Sequence, residues 1–254
     1  MIQTITVTMT GLTHNGRLRT SNDDTIAMAD WIRNAPMLRP ESVTREADPA
    51  VVCLVADGLG GHRSGAKASG LAARALAERA SDLCTVVGLE QRLRELNTAL
   101  SRWMEERPED AGMGTTVAGI VIHNDGVLSF NVGDSRVYRR CDGYLRQIST
   151  DDRPSLQQAG EPDSGSSIVT QALGGSIEGG GIAPHVAAEP VRDGAFYLLC
   201  TDGLTDVLDL DTIESRIADD DSASIVGLFD LAMSVGAPDN LSIVITRISS
   251  ECRS

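Results

Sequence analysis

Apolar and polar side chains alternate along residues 2–9 (IQTITVTM), where β-branched residues are also frequent, and this period of two predicts a strand. A second strand is expected at 25–30 (TIAMAD). Residues 34–49 carry three prolines and mixed charges and read as an exposed loop. The run AVVCLVA at 50–56 is continuously apolar, the pattern of a strand buried on both faces. Two helices are expected next. Residues 64–84 are Ala-rich with Leu71, Leu76 and Leu83 on one face, and residues 89–107 place Leu93, Leu96, Leu100 and Trp103 at helical spacing. Strands follow at 115–123, 127–132, 135–140 and near 144–149. The glycine-rich stretch 157–181 has no period and reads as a flap. A strand at 195–201, helices near 203–218 and 222–234, and a strand at 241–248 complete the chain.

This order lacks the steady β-α-β alternation of a parallel sheet. It suits antiparallel sheets with helices packed outside them, an α+β layered sandwich. No repeat or linker divides the sequence, so 1–254 reads as a single domain, long enough for one substantial core.

Charge narrows the partners. A formal net charge of -14 repels nucleic acid. It also means that any clustered carboxylates repel one another unless cations relieve them, although a solvated acidic surface accounts for the charge just as simply. The five cysteines are widely spaced and include no C-x-x-C pair, so reduced thiols and a cytoplasmic location are expected. No apolar run approaches the roughly 18 residues of a membrane span, no leader pattern opens the chain, and no extended apolar surface suggests anything but a monomer.

Asp-Gly occurs five times. Asp125-Gly126 and Asp142-Gly143 lie between strand patterns and predict type I′ hairpins; Asp193-Gly194 also reads as a turn. Asp57-Gly58 and Asp202-Gly203 differ, because each closes a buried apolar run and precedes a helix-like stretch. Such a carboxylate either caps the following helix or, desolvated on one side, needs a cation. Asp24, Asp134 and Asp239 also stand at strand ends. Gly60 to Lys67 imitates a phosphate-binding loop, but Lys67 falls one position late and Ala68 has no hydroxyl. That shift turns the side chain by about 100° on a helix, which excludes a nucleoside triphosphatase. The histidines show no zinc spacing, and no G-x-S-x-G elbow or cysteine-phosphatase loop is present.

Six segments in order carry a family resemblance: Arg19-x-x-Asn22-Asp23-Asp24, Val55 to His62, Gly114-Thr115-Thr116, Asn131 to Arg136, Cys200 to Asp206, and Asp239-Asn240. Together they resemble the metal-dependent type 2C protein serine/threonine phosphatases in their compact bacterial form. The resemblance implies a four-layer α-β-β-α sandwich, two antiparallel sheets flanked by helix pairs, with Mn²⁺ or Mg²⁺ at one end. By that resemblance Asp57 bridges two core ions and the Gly58 carbonyl contacts one. Asp202 and Asp239 complete the first site, and Asp24, with Asp23, holds the second ion through water. Asp134, Asp206 and a shared Asp202 match a third, weaker site. Arg19 binds the substrate phosphate, and a water between the core ions attacks phosphorus. The implied partners are phosphorylated proteins, a serine/threonine kinase and its substrates. Asn240 is placed beside the ligands.

Departures from the family pattern bear on mechanism. Leu59 stands where many eukaryotic members have the general-acid histidine, leaving His62 as a candidate proton donor. Residues 151–153 read Asp-Asp-Arg where the family often has Asp-His-Ser. A catalytically silent, phosphoprotein-binding scaffold is the alternative, disfavoured because every expected ligand aspartate is present.

Overall fold

The computed structural model describes residues 2–60, 63–154, 169–175 and 180–253. In the first half the strands are β1 (Ile2–His14), β2 (Thr25–Met28), β3 (Trp31–Arg33), β4 (Glu41–Glu46), β5 (Ala50–Ala56), β6 (Gly58–Leu59), β7 (Gly114–Thr115) and β8 (Val117–His123). The remainder are β9 (Gly126–Val132), β10 (Arg136–Cys141), β11 (Tyr144–Gln147), β12 (Leu173–Gly174), β13 (His185–Glu189), β14 (Phe196–Cys200) and β15 (Leu241–Arg253). The helices are α1 (Arg63–Ala77), α2 (Val86–Glu106), α3 (Asp202–Thr205), α4 (Leu210–Ser215) and α5 (Asp221–Ser234).

Two six-stranded antiparallel sheets form the centre, ordered β11-β10-β14-β15-β1-β4 and β13-β9-β8-β5-β2-β3. Their facing sides share a core of Val, Ile, Leu and Met in which Val7, Met9, Cys53, Val55, Ile120, Val244 and Ile245 lose essentially all contact with solvent. Outside the second sheet, α1 and α2 cover Val52, Leu54 and Val121 with Ala72, Leu76, Leu93 and Leu100. Outside the first, Ile213 of α4 and Ile225 and Leu228 of α5 close the fourth layer. The expected α-β-β-α sandwich is therefore present. Its physical reason is the one read from the sequence: β5 and β14 are buried along their length, and a strand apolar on both faces has to be covered on both.

Several expectations need correction. The loop assigned to 34–49 contains β4, which pairs with β1 from Thr6↔Glu46 to Gly11↔Glu41. It is an edge strand with only Val43 buried, so its sequence gives almost no apolar signal. The helix expected over 203–218 is two short ones, because Asp209 accepts a hydrogen bond from Thr212 N at 2.9 Å and starts a new helix. The helix expected over 64–84 ends at Ala77 and is followed by a 3₁₀ turn at Ala80–Leu83. Asp142 and Gly143 do adopt the left-handed conformations of a type I′ turn. The β8–β9 hairpin instead turns on Asn124 and Asp125, closing at His123↔Gly126. Neither turn residue is left-handed, so that turn is not type I′. The flap expected over 157–181 lies mostly outside the described residues; within it, Leu173–Gly174 pairs with Gly114–Thr115. Lys67 serves structure rather than phosphate: its Nζ donates to Asp110 at 2.6 Å, while Trp103 Nε1 donates to the same carboxylate at 2.8 Å.

Among the described residues, no helix is long and apolar enough to cross a membrane.

Candidate metal centre

The strand ends β2, β5, β14 and β15 deliver Asp24, Asp57, Asp202 and Asp239 to one end of the sandwich. Asp57 leaves β5 and is followed not directly by a helix but by the short strand β6, paired with β7 through Gly58↔Thr115. The Gly114-Thr115-Thr116 motif locks this exit. Thr116 N and Thr115 Oγ1 donate to the Asp57 carbonyl at 2.9 and 2.8 Å, and Asp57 N donates to Thr116 Oγ1 at 3.2 Å. Neither Asp57 nor Asp202 caps a helix: α1 begins at Arg63, and the residue preceding α3 is Thr201. The glycines that follow them are required by close approach. A Cβ on Gly58 would collide with the Gly65 carbonyl, and one on Gly203 with the Asn240 carbonyl.

Arg19, Asp23, Asp57, Gly58, Asp202, Asp239 and Asn240 line one cleft of about 420 Å³, joined by Leu18, Leu59 and Val169. Asp24 is fully buried behind it. A relay of hydroxyls fixes Asp24: Asn22 Nδ2 donates to Thr13 Oγ1 at 2.8 Å, Thr13 lies 2.8 Å from Ser242 Oγ, and Ser242 Oγ donates to Asp24 Oδ2 at 2.7 Å. Thr201 Oγ1 donates to the same oxygen at 2.9 Å. Arg19 Nη2 donates to Asp239 Oδ2 at 2.7 Å. Asp134 and Asp206 stand to one side and connect to Asp202 through Arg153. His62 lies outside the described residues.

The electrostatics show what such crowding costs. Burial, against the opposing hydrogen bonds of Ser242 and Thr201, pushes Asp24 up to about 7. Burial, with Asp134 and Asp206 nearby, does the same to Asp202. Asp57 is held well above the ordinary carboxylate range by burial and by Asp24, Asp202, Asp239 and Asp134. Asp134 is also raised by burial, which outweighs its contact with Arg153.

Among the described residues no three acidic, His or Cys side chains close into a finished ligand cage. The carboxylates are turned instead to hydroxyl and guanidinium donors. The donor set nevertheless fits hard divalent cations. It consists of carboxylate oxygens, and Asp24 Oδ1 is buried with no hydrogen-bond partner. A buried carboxylate oxygen without a donor is costly, and an oxygen-seeking ion is the natural complement.

Sequence reasoning missed three features. Thr201 and Ser242, which hold Asp24, carry no signal beyond lying beside ligand positions. Arg153 could have been suspected only from its departure from the family pattern. Asn240 was placed beside the ligands, but its work is different. Its Oδ1 accepts from Asp23 N at 2.8 Å and its Nδ2 donates to the Ser21 carbonyl at 2.8 Å, stapling the Arg19-bearing loop to the start of β15. Asn240→Ala leaves those backbone groups without their partner, and a loss of about 1–3 kcal/mol in urea unfolding is expected; an unchanged midpoint would show the staple to be idle.

Fold and site together define an acid-lined cleft at the strand ends of a helix-flanked double sheet. Residues 41–223 match the family description Protein phosphatase 2C. The chain is 34% identical over 210 residues to the serine/threonine protein phosphatase PstP of Mycobacterium tuberculosis, which covers 76% of this chain and 40% of that protein. It is 27% identical over 253 residues to the serine/threonine phosphatase Stp of Listeria welshimeri, covering 92% of each. The crystal structure of the PstP catalytic domain in complex with two manganese ions superposes with a TM-score of 0.74 at 27% identity, over 96% of this chain and 99% of that one. The chain belongs to the protein phosphatase 2C family. It spans about 40% of the length of PstP.

Proposed function

We propose that this chain is a metal-dependent protein phosphatase that hydrolyses phosphoserine and phosphothreonine, acting as a single catalytic domain over 1–254. The observation that carries this reading is the convergence of Arg19, Asp57, Asp202 and Asp239 on one cleft. Asp57 would be shared between two divalent ions, with the Gly58 carbonyl, Asp202 and Asp239 around one and Asp24 with Asp23 toward the other. When bound, the ions supply a water acidified to near-neutral pKa and positive charge opposite the phosphoryl oxygens. Carboxylate ligands favour Mn²⁺ or Mg²⁺ over zinc, and the manganese in the PstP crystal structure supports this.

The protein's own groups do the rest. Arg19 is more than half exposed and reaches over the cleft; it exchanges Asp239 for the substrate phosphate, a planar fork on a dianion. The hydroxyls of Thr201 and Ser242 hold Asp24 in one orientation. Leu59, replacing a histidine, leaves His62 or solvent to protonate the leaving oxygen. The partners under this reading are phosphorylated proteins and the serine/threonine kinase whose action the chain reverses, met as a monomer in the cytoplasm.

The test is phosphate release from a phosphothreonine peptide. Turnover is expected with Mn²⁺, none with chelator, and none in Asp202→Asn. Arg19→Ala should raise KM by about 10–100-fold, as loss of a charge-assisted hydrogen bond predicts. Manganese binding without release from any phosphopeptide would favour the silent scaffold instead.

A further inference from the structure

Beside the cleft, Arg153 lies among the three carboxylates matched to a third ion. Its Nε donates to Asp134 Oδ2 at 2.8 Å, and its Nη2 is shared between Asp206 Oδ1 at 3.0 Å and Asp202 Oδ2 at 3.4 Å. Asp134 is almost fully buried, 1% exposed, so the charge it presents to Arg153 is not screened by water.

The segment that presents Arg153 is firmly anchored. Asp151 accepts from Arg136 Nη2 and from Gln147 Nε2, both at 2.6 Å. Asp152 Oδ2 accepts from Gly133 N at 2.8 Å, and Asp152 N donates to the Gly133 carbonyl at 3.1 Å. Gly133 immediately precedes Asp134, so the backbone carrying Arg153 is fixed against the backbone carrying its main partner. The Asp-Asp-Arg sequence at 151–153 thus builds a fixed support with a cation at its end.

We propose that Arg153 is this protein's resident third cation: its guanidinium takes the position among Asp134, Asp202 and Asp206 where a third divalent ion was expected, and the centre is a two-ion one. The proposal rests on the phosphatase reading above for its two core ions. A guanidinium stays charged at any physiological pH and matches several carboxylates at once through its fork of donors. A divalent ion drawn to the same oxygens would meet that fixed positive charge and be repelled. Neutralisation on this flank is therefore independent of metal concentration, and Arg153 acts as a positioning residue for Asp202.

The test is the number of Mn²⁺ ions retained in equilibrium dialysis, with metal and protein quantified separately. The wild-type chain should retain two ions per chain. Arg153→Ala should retain a third, more weakly held, and Arg153→Lys should return the number to two by restoring a cation. Should the alanine variant fail to fold, Asp206→Asn in the otherwise unaltered chain answers the same question, since its ion number should stay at two. A wild-type chain retaining three ions, an alanine variant retaining two, or an ion lost in Asp206→Asn would each overturn the role given to Arg153 while leaving the phosphatase reading in place. A wild-type chain retaining no ions would overturn both.

Discussion

Asp57→Asn is expected to abolish phosphopeptide turnover while making the metal-free protein more stable. The two effects share one cause. Asp57 sits at the end of β5, its backbone locked by Thr115 and Thr116, and its carboxylate feels Asp24, Asp202, Asp239 and Asp134 together. An amide in the same place keeps the shape but removes the charge that would bridge two cations. Removing a single preorganised electrostatic group from an active site commonly costs about 10²–10³ in kcat, and a shared ligand should cost at least that. Without metal, the same substitution relieves repulsion inside a desolvated cluster. The chelated variant is therefore expected to melt above the chelated wild type, by a margin that grows as rising pH ionises the cluster in the wild type. Calorimetry of the chelated variant beside the chelated wild type checks the stability half, and phosphate release checks the other. A variant that melts lower than wild type, or turns over within tenfold of it, would contradict the cluster described above.

The metal-free protein should lose stability as pH rises, and manganese should reverse the trend. Asp24 and Asp202 are raised from 3.8 to about 7 in the folded state, and Asp57 is raised as well. A carboxyl group with a raised folded pKa binds its proton more tightly folded than unfolded. Its contribution to stability is complete below the unfolded value near 3.8 and disappears as pH climbs through about 7. Between pH 5 and pH 8 in chelator, Tm should therefore fall. His14, whose pKa is lowered by burial, pulls the other way, but it is one ring against three coupled carboxylates. Manganese competes with those protons, so its stabilisation should be small at pH 5 and large at pH 8. At a hundredfold excess over Kd each ion adds about 2.7 kcal/mol. Melting curves at four pH values, with chelator and with Mn²⁺, test this. A chelated protein that melts higher at pH 8 than at pH 5 would refute it.

How much of this was visible in the sequence follows the range of the interactions involved. The buried strands β5 and β14 were legible because a run such as AVVCLVA needs no knowledge of its neighbours. The edge strand β4 was not, since with only Val43 buried its existence depends on pairing with β1. The single helix expected over 203–218 failed for a local reason, an Asp209 cap that competes with helix continuation. Asp57 and Asp202 could be singled out because each closes an apolar run with Asp-Gly, yet from position alone they suited helix capping as well as metal binding.

The sequence by itself determined the layered α+β architecture and the family, because hydrophobic period and the order of short motifs are properties of local segments. Only the tertiary structure decided which side chains those carboxylates face. Thr201 and Ser242 lie 177 and 218 positions from the Asp24 they hold, and Arg153 lies 49 positions from Asp202. Such pairings are set by which strands lie side by side in the two sheets, and strand order is fixed by burial of the whole core rather than by any one stretch of chain.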